Sequence, residues 1–341
     1  MKPLRVGIIG AGKIARTLHA PGFKAAQGCV LTGVCSGTME KAKTLAAEFD
    51  IPNIFKNYKL MIASKSVDAV AICTPNYLHA PVAIYALEHG VNVFVEKPMA
   101  LSVKEIKKMI STATENKCLL AVNHNWRFNP AAYELRAQIQ AGVIGKVESL
   151  RGKLGYSGFE HWRPGSIWFT DFAQSGGGAS VDLGVHIYDL IRFVTGKEAQ
   201  TIGAQMSSMT KGMKVDDNFT AVVKFTDGTT GEFEASWTAR PSEMSMTLYG
   251  QKGKVVFDGI NKTVEICIVD PAHPERVKKI LKPKIPKKSP LGNPCGNFVK
   301  TCLGKEKASS SGKDAMLSTT VVLAGLRAAK TGRLINLKGN K

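Results

Sequence analysis

No run of the 341 residues stays apolar for the roughly 18 positions a membrane-spanning helix requires, so a helical membrane protein is excluded at the outset. The opening MKPLRVGIIGAG moves straight into a strand and a glycine turn. It has neither an apolar leader core nor a small-residue cleavage site, and no secretory signal is expected. CxxC pairs are missing too. The seven cysteines stand scattered at 29, 35, 73, 118, 267, 295 and 302, which argues against a disulfide framework or a four-cysteine zinc site. Reduced thiols in a cytoplasmic protein are the expectation. The histidines at 19, 79, 89, 124, 161 and 273 make no HxxxH pair and have no carboxylate at ligand spacing, so no metal is expected. Internal repeats and long low-complexity tracts are absent.

Acidic residues are scarce beside basic ones, 27 against 46, for a net charge of +19. That excess raises nucleic-acid binding as a function class. Much of it falls in one stretch, ERVKKILKPKIPKK at 275–288, where seven Lys/Arg face only Glu275. The stretch carries Pro283 and Pro286 and no aromatic ring on which a base could stack. It reads as a solvated basic loop, and no nucleic-acid partner is expected. A steep salt dependence of binding to duplex or single strands would argue otherwise. The remaining positive charge suits anionic ligands such as phosphorylated cofactors or substrates.

What is present is the pattern of two globular domains, each long enough to bury its own core, with boundaries at 1–124 and 125–341. A C-terminal segment is free to pack back on the first domain. In the first domain β-branched runs (Leu4–Ile9, Val30–Cys35, Val67–Cys73, Val91–Val95, Leu119–Val122) alternate with helical patterns near Ile14–Ala26, Thr38–Phe49, Ala80–His89 and Val103–Asn116. That order predicts an α/β dinucleotide-type domain, a parallel sheet covered by helices on both faces. Beyond a helix at Pro130–Gly142 the pattern becomes mostly strands, interrupted by helices near Val181–Thr195 and Asp314–Ala329. This predicts an α+β domain with a large, mostly antiparallel open sheet.

The first strand runs into Gly10-Ala11-Gly12-Lys13-Ile14-Ala15, the GxGxxA form of the dinucleotide fingerprint. Gly10 permits the tight turn, Gly12 lets backbone approach a pyrophosphate, and Ala15 lets the next helix pack close. The helix N-terminus offers N–H groups to the phosphates. The second strand ends in Ser36-Gly37-Thr38 with no carboxylate until Glu40, and Lys41 follows one turn later. Hydroxyls and an ammonium there welcome a ribose 2′-phosphate that a carboxylate would repel. NADP is therefore expected in preference to NAD, unless Lys41 merely decorates an exposed helix face.

Two further clusters carry chemistry. Glu96-Lys97-Pro98 follows a strand, placing Lys97 at the carboxyl end of a parallel sheet, where ligands bind. Gly176-Gly177-Gly178 precedes Asp182 and His186, which are spaced i, i+4 and so share a face of any helix starting near Val181. Taken alone, a histidine there is as readily a satisfied core residue as a base.

Together, in this order and spacing, the fingerprint, the Glu96-Lys97-Pro98 turn and the Gly-rich Asp182…His186 segment resemble the Gfo/Idh/MocA oxidoreductases, a family that includes glucose–fructose oxidoreductase and inositol dehydrogenase. The resemblance covers nearly the whole chain. Cys73-Thr74-Pro75-Asn76…His79 is similar to the family's loop beneath the nicotinamide, with a helix-start role for His79 as the other reading. Arg127-Phe128-Asn129-Pro130 and His161-Trp162-Arg163 are similar to segments near cofactor and substrate.

The resemblance implies hydride transfer between nicotinamide and a secondary alcohol or ketone of a sugar, cyclitol or related polyhydroxylated compound. His186 would act as general base, Asp182 would orient it or the substrate hydroxyl, and Lys97 would bond the reacting oxygen. It also implies cofactor contacts by Glu96, Lys97, Trp162 and Arg163, substrate contacts by Arg127, Tyr156 and Arg163, and a homo-oligomer, dimer or tetramer. The aromatic run Trp168, Phe169, Phe172 suits either a sugar ring or simple packing under a loop. A regulator that senses dinucleotide on the same scaffold without turnover is the alternative function.

Overall fold

The computed structural model describes residues 2–158 and 167–337. The chain divides into two units, Met1–Asn125 with Leu291–Met316 and Trp126–Pro290 with Leu317–Lys341. Residues 291–316 thus belong to the first unit.

The first unit holds a six-stranded parallel sheet: β1 (Leu4–Ile9), β2 (Cys29–Cys35), β3 (Asn53–Phe55), β4 (Ala69–Ile72), β5 (Asn92–Val95) and β6 (Leu120–Val122), in spatial order β3-β2-β1-β4-β5-β6. The order reverses between β1 and β4, and in such sheets ligands bind at the carboxyl ends beside that switch point. Helices α1 (Ala20–Ala25), α2 (Met39–Phe49), α3 (Tyr58–Ala63), α4 (His79–Glu88) and α5 (Val103–Glu115) connect the strands. The central strands are buried along nearly their whole length; Val6, Ile8, Ala69, Val70 and Val93 have no exposed surface. That explains why they read as continuous apolar runs rather than alternating ones. The helix Pro294–Cys302 adds Phe298 to a buried aromatic group with Phe23 and Phe94, its ring 5.1 Å from that of Phe94. β3 and α3 were not expected, being three and six residues long.

The second unit holds nine strands: β7 (Val147–Ser157), β8 (Ala199–Ser207), β9 (Asn218–Phe225), β10 (Thr230–Ser236), β11 (Thr238–Gly250), β12 (Gly253–Asp258), β13 (Thr263–Val269), β14 (Val277–Leu281) and β15 (Ile335–Asn336). Their order is β14-β13-β12-β11-β7-β10-β9-β8-β15. Every pairing is antiparallel except β7 with β10. β9 alternates cleanly, with Phe219, Ala221, Val223 and Phe225 buried and Thr220, Val222 and Lys224 outward, as a sheet covered on one face requires. The covering helices include α6 (Pro130–Gln140) and α7 (Val185–Thr195). Every residue of α7 from Val185 to Val194 is buried. Gly152 lets α7 come close, since a Cβ there would sit 3.0 Å from Ile187.

The basic stretch is not wholly a loop. Val277–Leu281 forms the edge strand β14, with Val277 and Ile280 each 55% exposed. Two of the seven basic residues, Lys278 and Lys279, lie on this strand, where lysines discourage edge pairing with other chains. Among the described residues no helix is long and apolar enough to cross a membrane, and no group of three or more His, Cys, Asp or Glu could hold a metal.

Candidate active site

At the carboxyl end of β1, Gly10 has φ +95°, and a Cβ on it would lie 2.7 Å from the Cys73 carbonyl oxygen. Both facts demand glycine, and both arise because β1 and β4 are neighbours at the switch point. Nothing lies within 4 Å of where a Gly12 Cβ would be, so its backbone faces open space. Ala15 is fully buried. The helix that follows is not uniform, because Ala15–His19 forms a π turn before α1. Pro21 explains it: proline has no N–H and crowds the carbonyl one turn back, and a widened turn relieves both.

A hollow of about 590 Å³ opens beside this turn, with Gly12, Lys13, Arg16, Glu40, Lys41 and Thr44 among its walls. Lys13 and Lys41, both singled out from sequence, therefore border one space, while Ile14 is half-buried behind them. Arg16 pairs with Glu48 at 2.5 Å and Lys43 with Glu40 at 3.1 Å. Ser36, Gly37 and Thr38 form the loop between β2 and α2, where Ser36 Oγ accepts from the Thr38 N–H at 3.3 Å. At the end of β4 the Thr74 hydroxyl is buried with no protein partner, and Asn76 is 6% exposed. An open glycine turn and an unsatisfied hydroxyl at adjacent strand ends fit a dinucleotide's phosphates and sugar, which bring both charge and acceptors.

His79 has no exposed surface. Its Nδ1 lies 2.8 Å from the Pro98 carbonyl and its Nε2 3.0 Å from the Thr74 carbonyl. Burial lowers its pKa, opposed by those two carbonyls. His79 is the first residue of α4, as the helix-start reading has it, and its ring ties the loop after β4 to the turn after β5. Glu96 follows β5 as expected, with its side chain buried. Its Oε1 lies 2.6 Å from His19 Nε2 and accepts from Asn123 Nδ2 at 2.6 Å, a buried cluster at the strand end. Burial by itself would raise the carboxyl, but His19 and Asn123, with the charge of Lys97, outweigh it and draw the pKa down to about 2. Lys97, half-buried, follows β5, and its bond to Pro98 is cis.

In the second unit, Gly176 ends the short helix Phe172–Ser175 at φ +80°. Gly178 is more tightly constrained, because a Cβ on it would sit 1.7 Å from the Asp216 carbonyl oxygen. The Asp216 side chain accepts from Gly178 N at 2.8 Å, Ser180 N at 2.7 Å and Ser180 Oγ at 2.9 Å, while its carbonyl accepts from Ala179 N at 2.8 Å. Burial pushes the Asp216 carboxyl above the usual range, with those donors opposing. The chain then makes a second π turn, Ser180–Gly184, leading into α7. The uniform helix expected from Val181 is therefore widened at its start. Asp182 lies in the π turn and His186 in the first turn of α7, 3% and 8% exposed respectively. The indole N–H of buried Trp237 donates to Asp182 Oδ2 at 3.1 Å.

Arg127, expected at the substrate, uses Nε and Nη2 to clasp Asp189 at 2.7 and 2.6 Å, and it is 4% exposed. Ser318 also donates to Asp189, so these donors of Arg127 serve the interior rather than a ligand. Tyr156 is half-buried on β7. Phe169 is buried with Trp168 against it, ring centroids 3.7 Å apart, whereas Phe172 is exposed beneath the Lys330 ammonium. His161, Trp162 and Arg163 lie outside the described residues. Sequence reasoning missed His19, Asn123, Asp216 and Trp237. The doublet Asp216-Asp217 before a strand was the one local hint.

A family model described as an oxidoreductase family with an NAD-binding Rossmann fold matches residues 4–124, and the GFO/IDH/MocA C-terminal domain model matches 133–256. The chain is 29% identical over 260 residues to D-glucoside 3-dehydrogenase of Escherichia coli, covering 72% of this chain and 73% of that protein. It is 26% identical to 1,5-anhydro-D-fructose reductase of Ensifer adhaerens across 98% of both. Among solved structures, an oxidoreductase domain protein from Kribbella flavida superposes with TM-score 0.88 at 23% identity over 99% of this chain and all of that one. Levoglucosan dehydrogenase in complex with NADH and levoglucosan gives 0.85 at 24% over the same shares; at such identities these likenesses speak for the fold. The glycine turn and the six-stranded parallel sheet agree with the Rossmann description of the first model, and the two models together span most of the sequence: the chain belongs to the GFO/IDH/MocA oxidoreductases.

Proposed function

We propose that this oxidoreductase interconverts a secondary alcohol and a ketone on a sugar, cyclitol or related polyhydroxylated compound, with NADP preferred over NAD. The observation that carries the reading is a buried carboxylate, Asp182, fixed by a neutral indole donor four residues before a buried imidazole, His186. A bound nicotinamide supplies the acceptor or donor of the hydride. The protein's part is to manage the proton and the oxygen. His186 takes the hydroxyl proton in oxidation and returns it in reduction. Asp182 orients that imidazole or the substrate hydroxyl. Lys97, which follows the buried Glu96–His19 pair in the chain, bonds the reacting oxygen and stabilises the negative charge that develops there. Arg127 is a structural clasp on Asp189 in this reading, and Tyr156, Trp162 and Arg163 remain substrate or cofactor contacts. A homo-oligomer is part of the proposal, supported by exposed Val222 and Tyr249 among outward charges on the open sheet.

The test is a panel of D-glucose, methyl β-D-glucoside, levoglucosan, myo-inositol and sugar phosphates with NADP or NAD, read by nicotinamide absorbance. Turnover of at least one is expected. Tight dinucleotide binding without turnover of any would mark a sensor instead.

The NADP preference rests on Lys13 and Lys41 bordering one hollow beside the Ser36–Thr38 loop. Ser36→Asp should shift the NADP-to-NAD ratio of kcat/KM toward NAD by about tenfold or more, since a carboxylate beside a 2′-phosphate is repelled by roughly 1 to 4 kcal/mol. An unchanged ratio would place the ribose elsewhere.

A further inference from the structure

We propose that Trp237 is a positioning residue for the reaction, acting through Asp182; the inference rests on the catalytic reading of Asp182 given above. Trp237 sits where β10 ends and β11 begins, and it is 1% exposed. Its main chain is held on both sides: Trp237 N donates to the Asp217 carbonyl at 2.8 Å, and Gly158 N donates to the Trp237 carbonyl at 2.9 Å. The flanking Ser236 hydroxyl donates to Asn218 Oδ1 at 2.7 Å, so the strand junction has little freedom. From this anchored backbone the indole N–H reaches Asp182 Oδ2 at 3.1 Å.

The chemistry of the donor matters. An indole N–H only donates and does not titrate, so it fixes the rotation of a carboxylate at every working pH. Asp189 lies seven residues further along the same helical segment. It is clasped by the Arg127 guanidinium and the Ser318 hydroxyl, as befits an interior ion pair. The same helical segment thus carries Asp189, clasped by a guanidinium, and Asp182, which accepts from an indole N–H. Asp216 completes the arrangement by pinning the chain at Gly178–Ser180, just before Asp182. Two residues beside strand ends therefore act on Asp182, Asp216 through the backbone before it and Trp237 at the carboxylate oxygen itself.

A double-mutant cycle on the full-length protein separates this role from ordinary core packing. Assays use single turnovers with saturating NADP and the panel compounds named above, together with dinucleotide affinity and thermal midpoints. Trp237→Phe should lower kcat about ten- to hundredfold, the range for a lost hydrogen bond to a charged group, while dinucleotide affinity stays within twofold. In an Asp182→Ala background the same substitution should change kcat less than twofold. If Trp237→Phe fails to fold, 3-benzothienylalanine at 237 keeps the fused rings and deletes only the N–H; the same pattern is expected. An equal loss in both backgrounds, or no loss in the native one, overturns the positioning role while leaving the catalytic reading intact. Native turnover by Asp182→Ala alone overturns the catalytic reading, and this inference with it.

Discussion

Lys97→Ala is expected to cut kcat by about 10²–10³, the cost typical of removing one donor aimed at a developing oxyanion, while dinucleotide affinity changes only a few-fold. The split follows from the local structure. In the reading proposed here the phosphates fall to Gly10, Gly12 and the helix start after β1, and Lys97 is not among the residues lining the hollow beside that turn. Glu96 is bonded to both His19 and Asn123, so the strand end should keep its shape when the ammonium is deleted. Steady-state kinetics and fluorescence titration with NADPH measure the two quantities separately. Normal turnover in this variant would remove the lysine from the chemistry, and a collapse of dinucleotide affinity would make it a cofactor ligand first.

Gly178→Ala should be the most damaging single methyl in the second unit. The added carbon would meet the Asp216 carbonyl oxygen at 1.7 Å, and that carbonyl cannot retreat easily because Ala179 N is bonded to it and the Asp216 side chain holds Gly178 and Ser180. Relief requires moving the turn that precedes Asp182. Overpacking of this kind costs about 3 kcal/mol or more, which corresponds to a thermal midpoint lower by about 10 °C in a domain of this size. Turnover should fall with it. Gly12→Ala and Gly37→Ala, where nothing lies within 4 Å, are the matched controls and should leave the midpoint nearly unchanged. A Gly178→Ala protein with native midpoint and turnover would mean that the turn is loose and that Asp216 is not its anchor.

What could be read from the sequence was what is local. β1 and β2 fall within a residue of their expected places because each is a short run rich in β-branched residues that ends in a turn. The glycine fingerprint was legible for the same reason: its constraints, a positive φ and a close approach to β4, act on a few consecutive residues. β3 was missed because three residues cannot display a period, and β14 because its lysines hide a strand whose partner, β13, supplies the hydrogen bonds. The braces of the site were invisible for another reason. His19 is 77 residues from Glu96, and Trp237 is 55 from Asp182. A buried carboxylate announces that it needs donors; only the folded chain says which. The same distance explains Arg127, whose family-like surroundings suggested a ligand contact while its true partner, Asp189, lay 62 residues on.

The margins of the nine-stranded sheet carry a practical consequence. One border is a two-residue strand, β15, too short to template a neighbour, and the other is β14, whose outer residues include Lys278 and Lys279. Mutual repulsion between such borders depends on charge reaching through water, and at about 1 M ionic strength that reach shrinks to roughly 3 Å. Concentrated brine therefore strips the guard from β14 while leaving β15 blunt. Crystallisation and storage would then favour dilute electrolytes, where two molecules approaching along this flank still turn each other away.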